Sequence, residues 1–500
     1  MTETPRAPSA KAAPLSARDR GVVFTMLVAT FVVILNETIM NVALPRLMTE
    51  LSVGASTVQW LSTAFLLTMA VTIPATGFLI QRFGTRTLFV SALSLFSLGT
   101  LLAGVAPSFA PLLAGRVVQA LGTALMLPLL TTTILALVPA ERRGAFFGTV
   151  SIVISVAPAV GPTVSGLILE VLPWRYLFFF VLPISLAVLG YGAARLKNVG
   201  ERRTSSLDLP SVALSAMGFG GVVYGFSRAG EGGWGSPAVL GALGVGGVSL
   251  VLFTLRQLRL GRRDAPLLDL RAFSYPMFSL SVVLIMIVMM ALFASAILLP
   301  IYLQRVRGLS PFSTGLVLLP GGALMGIMAP TVGRLFDRYG PVALTSSGAA
   351  LLSGSLLGFT TLGAATPVWL LLVQHVIFSL GLALLFTPIL ATGLNPLPSR
   401  LYSHGSAIMS TLQQVAGAVG TALLITVMTG RVALSAEGGV GPVLAQTAGL
   451  HAAFAVAALL AALGLGITFF LRRTLPADPD VDPDADAAPG GEGQPAFSAP

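Results

Sequence analysis

A single acidic side chain stands well inside an apolar stretch of this 500-residue chain. Residues 21–47 begin as an unbroken apolar run and then carry Asn36, Glu37, Thr38 and Asn41. A carboxylate within the hydrocarbon of a membrane costs several kcal/mol unless it is paired, hydrated or protonated. Proton binding is the chemistry that such a group offers, so Glu37 is the first candidate functional residue.

The second candidate is Arg116, the one basic residue inside an apolar span. A rise of 1.5 Å per residue places Glu37 about 24 Å above the start of its span and Arg116 about 10 Å below the outer end of another. In a hydrocarbon core about 30 Å thick, both lie in the outer half at nearly the same level. We predict that Glu37 binds a coupling proton and that Arg116 lies nearby, because burial favours a neutral carboxyl and a cation favours an ionised one. The alternatives are an ion pair that never titrates, or an Arg116 that only bonds helix carbonyls.

Other polar side chains within spans are candidates for a substrate cavity. A histidine such as His375 can titrate in this setting, although packing is the commoner role for a lone histidine in a helix. The predicted cavity residues are Asn36, Asn41, Gln59, Gln374, His375, Gln413 and Gln414.

The elements that must position these residues are membrane-spanning helices. The chain is 55% hydrophobic and only 10% charged, with a mean hydropathy of +0.89, whereas soluble domains carry about 25% charged residues. Fourteen apolar segments are long enough to cross a bilayer, which predicts an all-α polytopic membrane protein. They lie near residues 21–44, 57–80, 87–106, 109–138, 145–170, 176–195, 209–227, 237–256, 276–303, 312–333, 341–363, 367–393, 403–430 and 449–471.

The basic residues fix the orientation of these spans. With the N-terminus inside, 22 of the 29 Lys and Arg residues fall on the inner side. This positive-inside bias predicts that both termini are cytoplasmic, and it accounts for the net charge of +10 without a nucleic-acid partner.

Basic clusters also divide the chain. Two glycine-rich spans lie between the clusters at 195–203 and 256–271, which leaves six spans on either side. We predict a cytoplasmic tail (1–20), a six-helix bundle (21–203), two inserted helices (204–260), a second six-helix bundle (261–472) and a disordered acidic tail (473–500). There is no cysteine and the three histidines are far apart, so neither a metal site nor a cofactor is expected.

Two cytoplasmic loops repeat one pattern at equivalent places in the two halves. GFLIQRFGTR (77–86) and GRLFDRYG (333–340) share Gly-x-Leu-x-(Gln/Asp)-Arg-aromatic-Gly. Such a repeat is typical of duplicated transporter bundles, and we predict that the loops act as a conformational latch, with ordinary positive-inside hairpins as the alternative. The gating residues would be Gly77, Arg82, Gly84, Arg86, Gly333, Asp337, Arg338 and Gly340.

A further motif interrupts the fifth span, where Gly161 and Pro162 are followed by Gly166. Proline kinks a helix and glycine allows close helix contact. We predict a bend that seals one side of the bundle, with a packing kink as the alternative.

Several of these segments together resemble the major facilitator superfamily, and specifically its 14-span drug:proton antiporters, which include the lincomycin-resistance exporters. LNETIMNVALP (35–45), LLAGRVVQALGTA (112–124), APAVGPTVSG (157–166) and SHGSAIMSTLQQVAGAVGTALL (403–424) resemble the family motifs of the first, fourth, fifth and thirteenth helices. This chain departs from the pattern at Gln81, where relatives often have an acid, at Ser165, where a glycine is common, and at Val181, where an asparagine is common.

The resemblance implies a proton-coupled exporter of amphipathic, drug-like molecules that works by alternating access in a bacterial-type cytoplasmic membrane. Export of one physiological solute, such as an amino acid or a natural product, is the alternative. The chain has no nucleotide-binding loop, which points to an ion gradient as the energy source. Neither clustered catalytic groups nor a receptor output domain is visible, so no enzyme activity is expected. The expected partners are protons, a small-molecule substrate and membrane lipid, and a monomer is expected.

Overall fold

The computed structural model describes residues 16–196, 198, 208–263 and 266–473. Within these ranges it contains fourteen helices long and apolar enough to cross a membrane, which confirms the predicted count. The helices are α1 (Ala17–Glu50), α2 (Ala55–Phe83), α3 (Thr85–Gly104), α4 (Phe109–Leu137), α5 (Arg143–Val171), α6 (Arg175–Arg195), α7 (Leu209–Gly232), α8 (Pro237–Gly261), α9 (Pro276–Ile301), α10 (Pro311–Tyr339), α11 (Pro341–Phe359), α12 (Val368–Leu394), α13 (Tyr402–Glu437) and α14 (Pro442–Thr468).

The first helix begins earlier than its apolar run does. Ser16 caps it, accepting a hydrogen bond from the Asp19 N–H at 3.0 Å, because the first amides of a helix have no partner within the helix itself. Residues 17–20, assigned from the sequence to the tail, are therefore helical. Residues 1–15 of that tail, the acidic segment 474–500 and the predicted boundary at 203 lie outside the described residues.

The helices form two bundles, α1–α6 and α9–α14, as the sequence predicted. The two bundles meet along two seams, where α2 packs against α13 and α5 packs against α10. Each seam joins the second helix of one half to the fifth helix of the other, so the two seams are equivalent to each other.

The loops that carry the repeated pattern have the same backbone conformation. Gly84 between α2 and α3 has φ 78°, and Gly340 between α10 and α11 has φ 80°. Side chains other than glycine rarely adopt this region, so the matched glycines allow the same sharp turn in each half.

The two inserted helices form a close-packed hairpin. Gly221 of α7 faces the backbone of Gly246 in α8, so neither position has room for a Cβ atom. Helix α7 also packs against α2 and α13 and thereby covers the seam between them. Two aromatic side chains fix the hairpin: the Tyr224 ring packs at a tilt against Trp60 of α2, and the Trp234 indole donates to Thr426 Oγ1 of α13 at 2.8 Å.

Candidate functional site

The Arg116 guanidinium lies buried in the N-terminal bundle within a set of neutral acceptors. It donates to Asn36 Oδ1 at 3.2 Å, to Gln119 Oε1 at 2.9 Å and, weakly, to the Leu61 carbonyl at 3.5 Å. Its carbon also lies 4.1 Å from the centre of the Phe65 ring, in cation–π contact. Asn36, the residue before Glu37, is the direct contact of Arg116, so Glu37 and Arg116 lie at nearly the same level along their helices.

Gln119 was not singled out from the sequence, yet it holds Arg116 in place. Its amide nitrogen donates to Thr100 Oγ1 at 2.8 Å, and that hydroxyl donates to the Phe96 carbonyl at 2.7 Å. The arginine is thus tied through α4 to α3. The spacing of three residues between Arg116 and Gln119 puts them on one helix face, which is a signal that the sequence does contain.

Glu37 lies next to this network without joining it. Its side chain is half-buried, and within the described residues it makes neither a hydrogen bond nor a direct ion pair. Its charge and that of Arg116 still interact through space. A carboxyl without a direct partner can gain or lose a proton without breaking a bond to a neighbouring side chain.

Helix α5 packs against α1 beside this carboxyl. A Cβ atom on Gly161 would collide with Thr38, the residue after Glu37. The Ser165 hydroxyl donates to the Ile39 carbonyl at 3.0 Å, so the serine that departs from the family pattern joins the two helices. Gly166 has open space around its Cα.

Helix α5 runs from Arg143 to Val171 and packs against α1 and α10. The bend at Gly161-Pro162 stays a prediction. The side chain of Pro162 lies outside the described residues.

On the cytoplasmic side, the second copy of the repeated loop contacts the start of α5. Asp337 accepts hydrogen bonds from the backbone N–H groups of Gly144 at 3.1 Å and Ala145 at 3.2 Å. A carboxylate at a helix N-terminus is stabilised by the unpaired amides and by the helix dipole. Gly333, one turn earlier on α10, lies against the Gly144 backbone with no room for a Cβ atom.

The first copy contacts the start of α13 in the corresponding way. The Gln81 amide nitrogen donates to the Arg400 carbonyl and to Ser403 Oγ, both at 3.0 Å. Gly77 lies so close to His404 that a Cβ atom would be 3.0 Å from the imidazole Nδ1. The two repeated loops therefore reach across the two seams in a pseudo-symmetric manner, one with an amide and one with a carboxylate.

The remaining gating residues stay within their own halves or lie at the surface. The Arg86 guanidinium donates to the Ala193 carbonyl at the end of α6 at 2.8 Å. Arg338 is exposed and lies over the Tyr339 ring. Arg82 is exposed beside the turn at Gly84.

Arg143 joins the two halves at the same level, and the sequence showed it only as one more inner-side charge. Its guanidinium donates to the Leu135 carbonyl at 2.7 Å and to the Tyr402 hydroxyl at 2.9 Å, with a longer contact of 3.5 Å to Asn395 Oδ1. It thus connects the end of α4 to α12 and α13. Together with the contacts of Gln81 and Asp337, it joins the two halves on the cytoplasmic side.

The predicted cavity residues are not brought together in one place. Gln413 and Gln414 lie between the two halves: Gln413 lines a small void with Thr131 and Ser410, and the Gln414 amide is 3.6 Å from Met69 Sδ. Asn36 bonds Arg116, as described above, while Gln59 is exposed near the outer end of α2.

Gln374 and His375 are instead packed within the C-terminal bundle. Gln374 lies against Gly358 of α11, and His375 lies against Gly321 of α10 and stacks on Phe378. Gln374 Oε1 and His375 Nδ1 are buried without a hydrogen-bond partner. The side chain of Asn41 lies outside the described residues. Within the described ranges, no three His, Asp or Glu side chains are grouped so as to hold a metal ion.

Comparison with known proteins places this geometry in a family context. The sequence profile of the Major Facilitator Superfamily matches residues 26–421. The chain is 44% identical to the lincomycin resistance protein LmrB of Listeria monocytogenes over 457 residues, which cover 90% of this chain and 96% of that protein. It is 45% identical to the LmrB protein of Bacillus subtilis over 461 residues, covering 90% and 95% respectively. Among solved structures, the human organic anion transporter MFSD10 superposes with a TM-score of 0.64 at 15% identity, covering 91% of this chain and all of that one.

Proposed function

Because the chain belongs to the Major Facilitator Superfamily, we propose that it is a proton-coupled exporter of amphipathic, drug-like molecules in the bacterial cytoplasmic membrane. The observation that carries this proposal is the half-buried Glu37 carboxyl, which has no direct partner in the described part of the chain. The resistance proteins to which the chain is similar over nine-tenths of its length support the drug-like substrate class.

The chemistry of exchange would follow from the charge on Glu37. When ionised, the carboxylate offers a counter-charge to a cationic or polar substrate in the membrane interior, where such a charge is worth far more than in water. When protonated, it loses that attraction and releases the substrate. Arg116 stays bonded to Asn36 and Gln119 throughout, so it does not neutralise Glu37 by direct contact.

The cytoplasmic contacts of Gln81, Asp337 and Arg143 support alternating access. With these contacts formed, the inner side is closed and Glu37 lies beyond the closure, in the outer half of α1. Inward opening would require them to break. One proton moving down a potential of 100 mV supplies about 2.3 kcal/mol, which is comparable to the strength of one charge-assisted hydrogen bond of this kind.

Export of a single physiological solute is the second candidate function. Gln413, Ser410 and Thr131, which line the small void between the halves, carry hydrogen-bonding side chains, as a pathway for a polar solute would require. Competition between unrelated lipophilic cations for one transport pathway would favour the multidrug function, and transport of one polar compound alone would favour this alternative.

The test of the primary proposal is efflux of a fluorescent lipophilic cation from cells that express the wild type, Glu37→Gln or Glu170→Gln. Glu170 is an exposed acid near the outer end of α5 and serves as the matched control. We expect uncoupler-sensitive efflux in the wild type and the control, and loss of efflux in Glu37→Gln at equal expression. Efflux that survives both the uncoupler and Glu37→Gln would rule out the mechanism.

A further inference from the structure

A basic groove opens at the cytoplasmic face of the N-terminal bundle, away from the seams and from Glu37. It lies between the start of α1, the start of α3 and the end of α6, and has a volume of about 640 Å³. Three arginines line it, Arg18, Arg86 and Arg195, and no carboxylate is among its lining residues. The volume falls within the range of sites that bind small molecules.

The positive charge of the groove is not neutralised within the described part of the chain. Arg86 donates to the Ala193 carbonyl at 2.8 Å, which is a neutral acceptor. Neither Arg18 nor Arg195 forms an ion pair there. Asp19, the acid nearest to Arg18 in sequence, is engaged with the Ser16 hydroxyl at 2.6 Å. Three guanidinium groups therefore line one cavity and keep N–H groups that can donate to a ligand.

The position of the groove points to the membrane surface. Its arginines stand at the cytoplasmic ends of spanning helices, the level at which the headgroups of the inner leaflet lie. The buried side chains of Val22 and Leu196 form an apolar part of its wall, and Tyr191 is 54% exposed at the rim. Tyrosine is enriched at this interface, and basic pockets between spans on the cytoplasmic side bind anionic headgroups.

We propose that this groove binds the phosphate group of an anionic phospholipid from the cytoplasmic leaflet, with Arg18, Arg86 and Arg195 as hydrogen-bond donors. Guanidinium groups suit phosphate oxygens because their planar N–H groups donate in pairs. The glycerol portion of the lipid would lie against Val22 and Leu196. Arg86 also belongs to the loop that contains Gly84, so the bound lipid would contact the same loop that joins α2 to α3.

The experiment measures binding of dihexanoyl phosphatidylglycerol to the purified full-length chain in a non-ionic detergent. Each groove arginine contributes about fivefold to the affinity for an anionic lipid, so the Arg18→Gln/Arg195→Gln double variant should bind about 25-fold more weakly. Arg263→Gln is the matched control, since Arg263 is exposed on the same side, in the turn after α8 and outside the groove. Phosphatidylcholine of the same chain length should bind at least about tenfold more weakly than phosphatidylglycerol.

Four outcomes would overturn the proposal. They are equal affinity of the double variant and the wild type, equal loss of affinity in Arg263→Gln, equal binding of phosphatidylcholine, and competition by soluble glycerol 3-phosphate at the same concentration as the lipid. A chain truncated after Arg473 tests the remaining occupant, the acidic segment 474–500. If lipid binds only after truncation, that segment and not a lipid occupies the groove. The Arg195→Gln single variant, expected to lose about fivefold, provides the same test if the double variant fails to fold.

Discussion

The Asp337→Asn substitution tests whether the cytoplasmic closure depends on charge. Asp337 accepts from two backbone N–H groups at the start of α5, Gly144 at 3.1 Å and Ala145 at 3.2 Å. A hydrogen bond to a charged group contributes about 1.5–3 kcal/mol and a neutral one about 1 kcal/mol. Asparagine retains one carbonyl acceptor and loses the charge, and the site is half-buried. Taking the lower value for a half-buried site, we expect the closed state to lose about 2 kcal/mol, which is about a 30-fold shift toward the inward-open state.

The absence of cysteine from the chain makes this shift measurable. A single cysteine at Ser410, which is buried in the void behind the closure, reports opening when a membrane-impermeant maleimide is added to inside-out vesicles. In that background, Asp337→Asn should raise the labelling rate about 30-fold. Arg334→Gln is the control, because Arg334 is exposed one turn earlier on the same helix. An unchanged rate in Asp337→Asn, or an equal rise in Arg334→Gln, would refute the charge-based closure.

Three further predictions concern the Arg116 network, the packing of α5 on α1 and the inserted hairpin. Gln119→Leu should reduce the efflux rate at least about tenfold at equal expression, because it removes one bond from the buried guanidinium of Arg116; a rate within twofold of the wild type contradicts this. Gly161→Ala should lower the free energy of unfolding in detergent by about 1–3 kcal/mol, because the added methyl group overpacks against α1. Gly166→Ala is the control and should leave stability unchanged, because Gly166 has open space around it. Equal effects of the two substitutions would contradict this packing. Hydrogen bonds from Arg256 of α8 lower the pKa of Asp208 to about 2. The stabilisation that Asp208 contributes is therefore present above its unfolded pKa of about 4 and is lost as the pH falls toward 2. Asp208→Asn should therefore be less stable at pH 7 and match the wild type near pH 2, as measured by thermal unfolding.

The spans could be predicted from the sequence because a helix in a membrane satisfies its backbone internally and needs only sufficient apolar length. The repeated loops could be predicted for a similar reason, since Gly84 and Gly340 are local requirements of a sharp turn. Depth along the helix axis also follows from counting residues, which is why Glu37 and Arg116 were expected at one level.

The rotation of each helix about its own axis cannot be predicted by counting residues. Successive residues of a helix point about 100° apart, so equal depth cannot decide whether Asn36 or Glu37 faces Arg116. The structure selects Asn36. The role of Arg143 was equally inaccessible, because its partners come from the ends of α4 and α12 and the start of α13, which are separated in sequence by up to 259 residues. Only tertiary packing brings them together.

The inserted hairpin makes the lipid-facing surface of the protein asymmetric, which the two related bundles alone would not do. A pair of related bundles would present two equivalent seams to the surrounding lipid. Here α7 lies over the seam between α2 and α13, while the seam between α5 and α10 is bordered only by helices of the bundles themselves. A compound dissolved in the bilayer therefore meets α7 over one seam and the helices of the bundles themselves at the other.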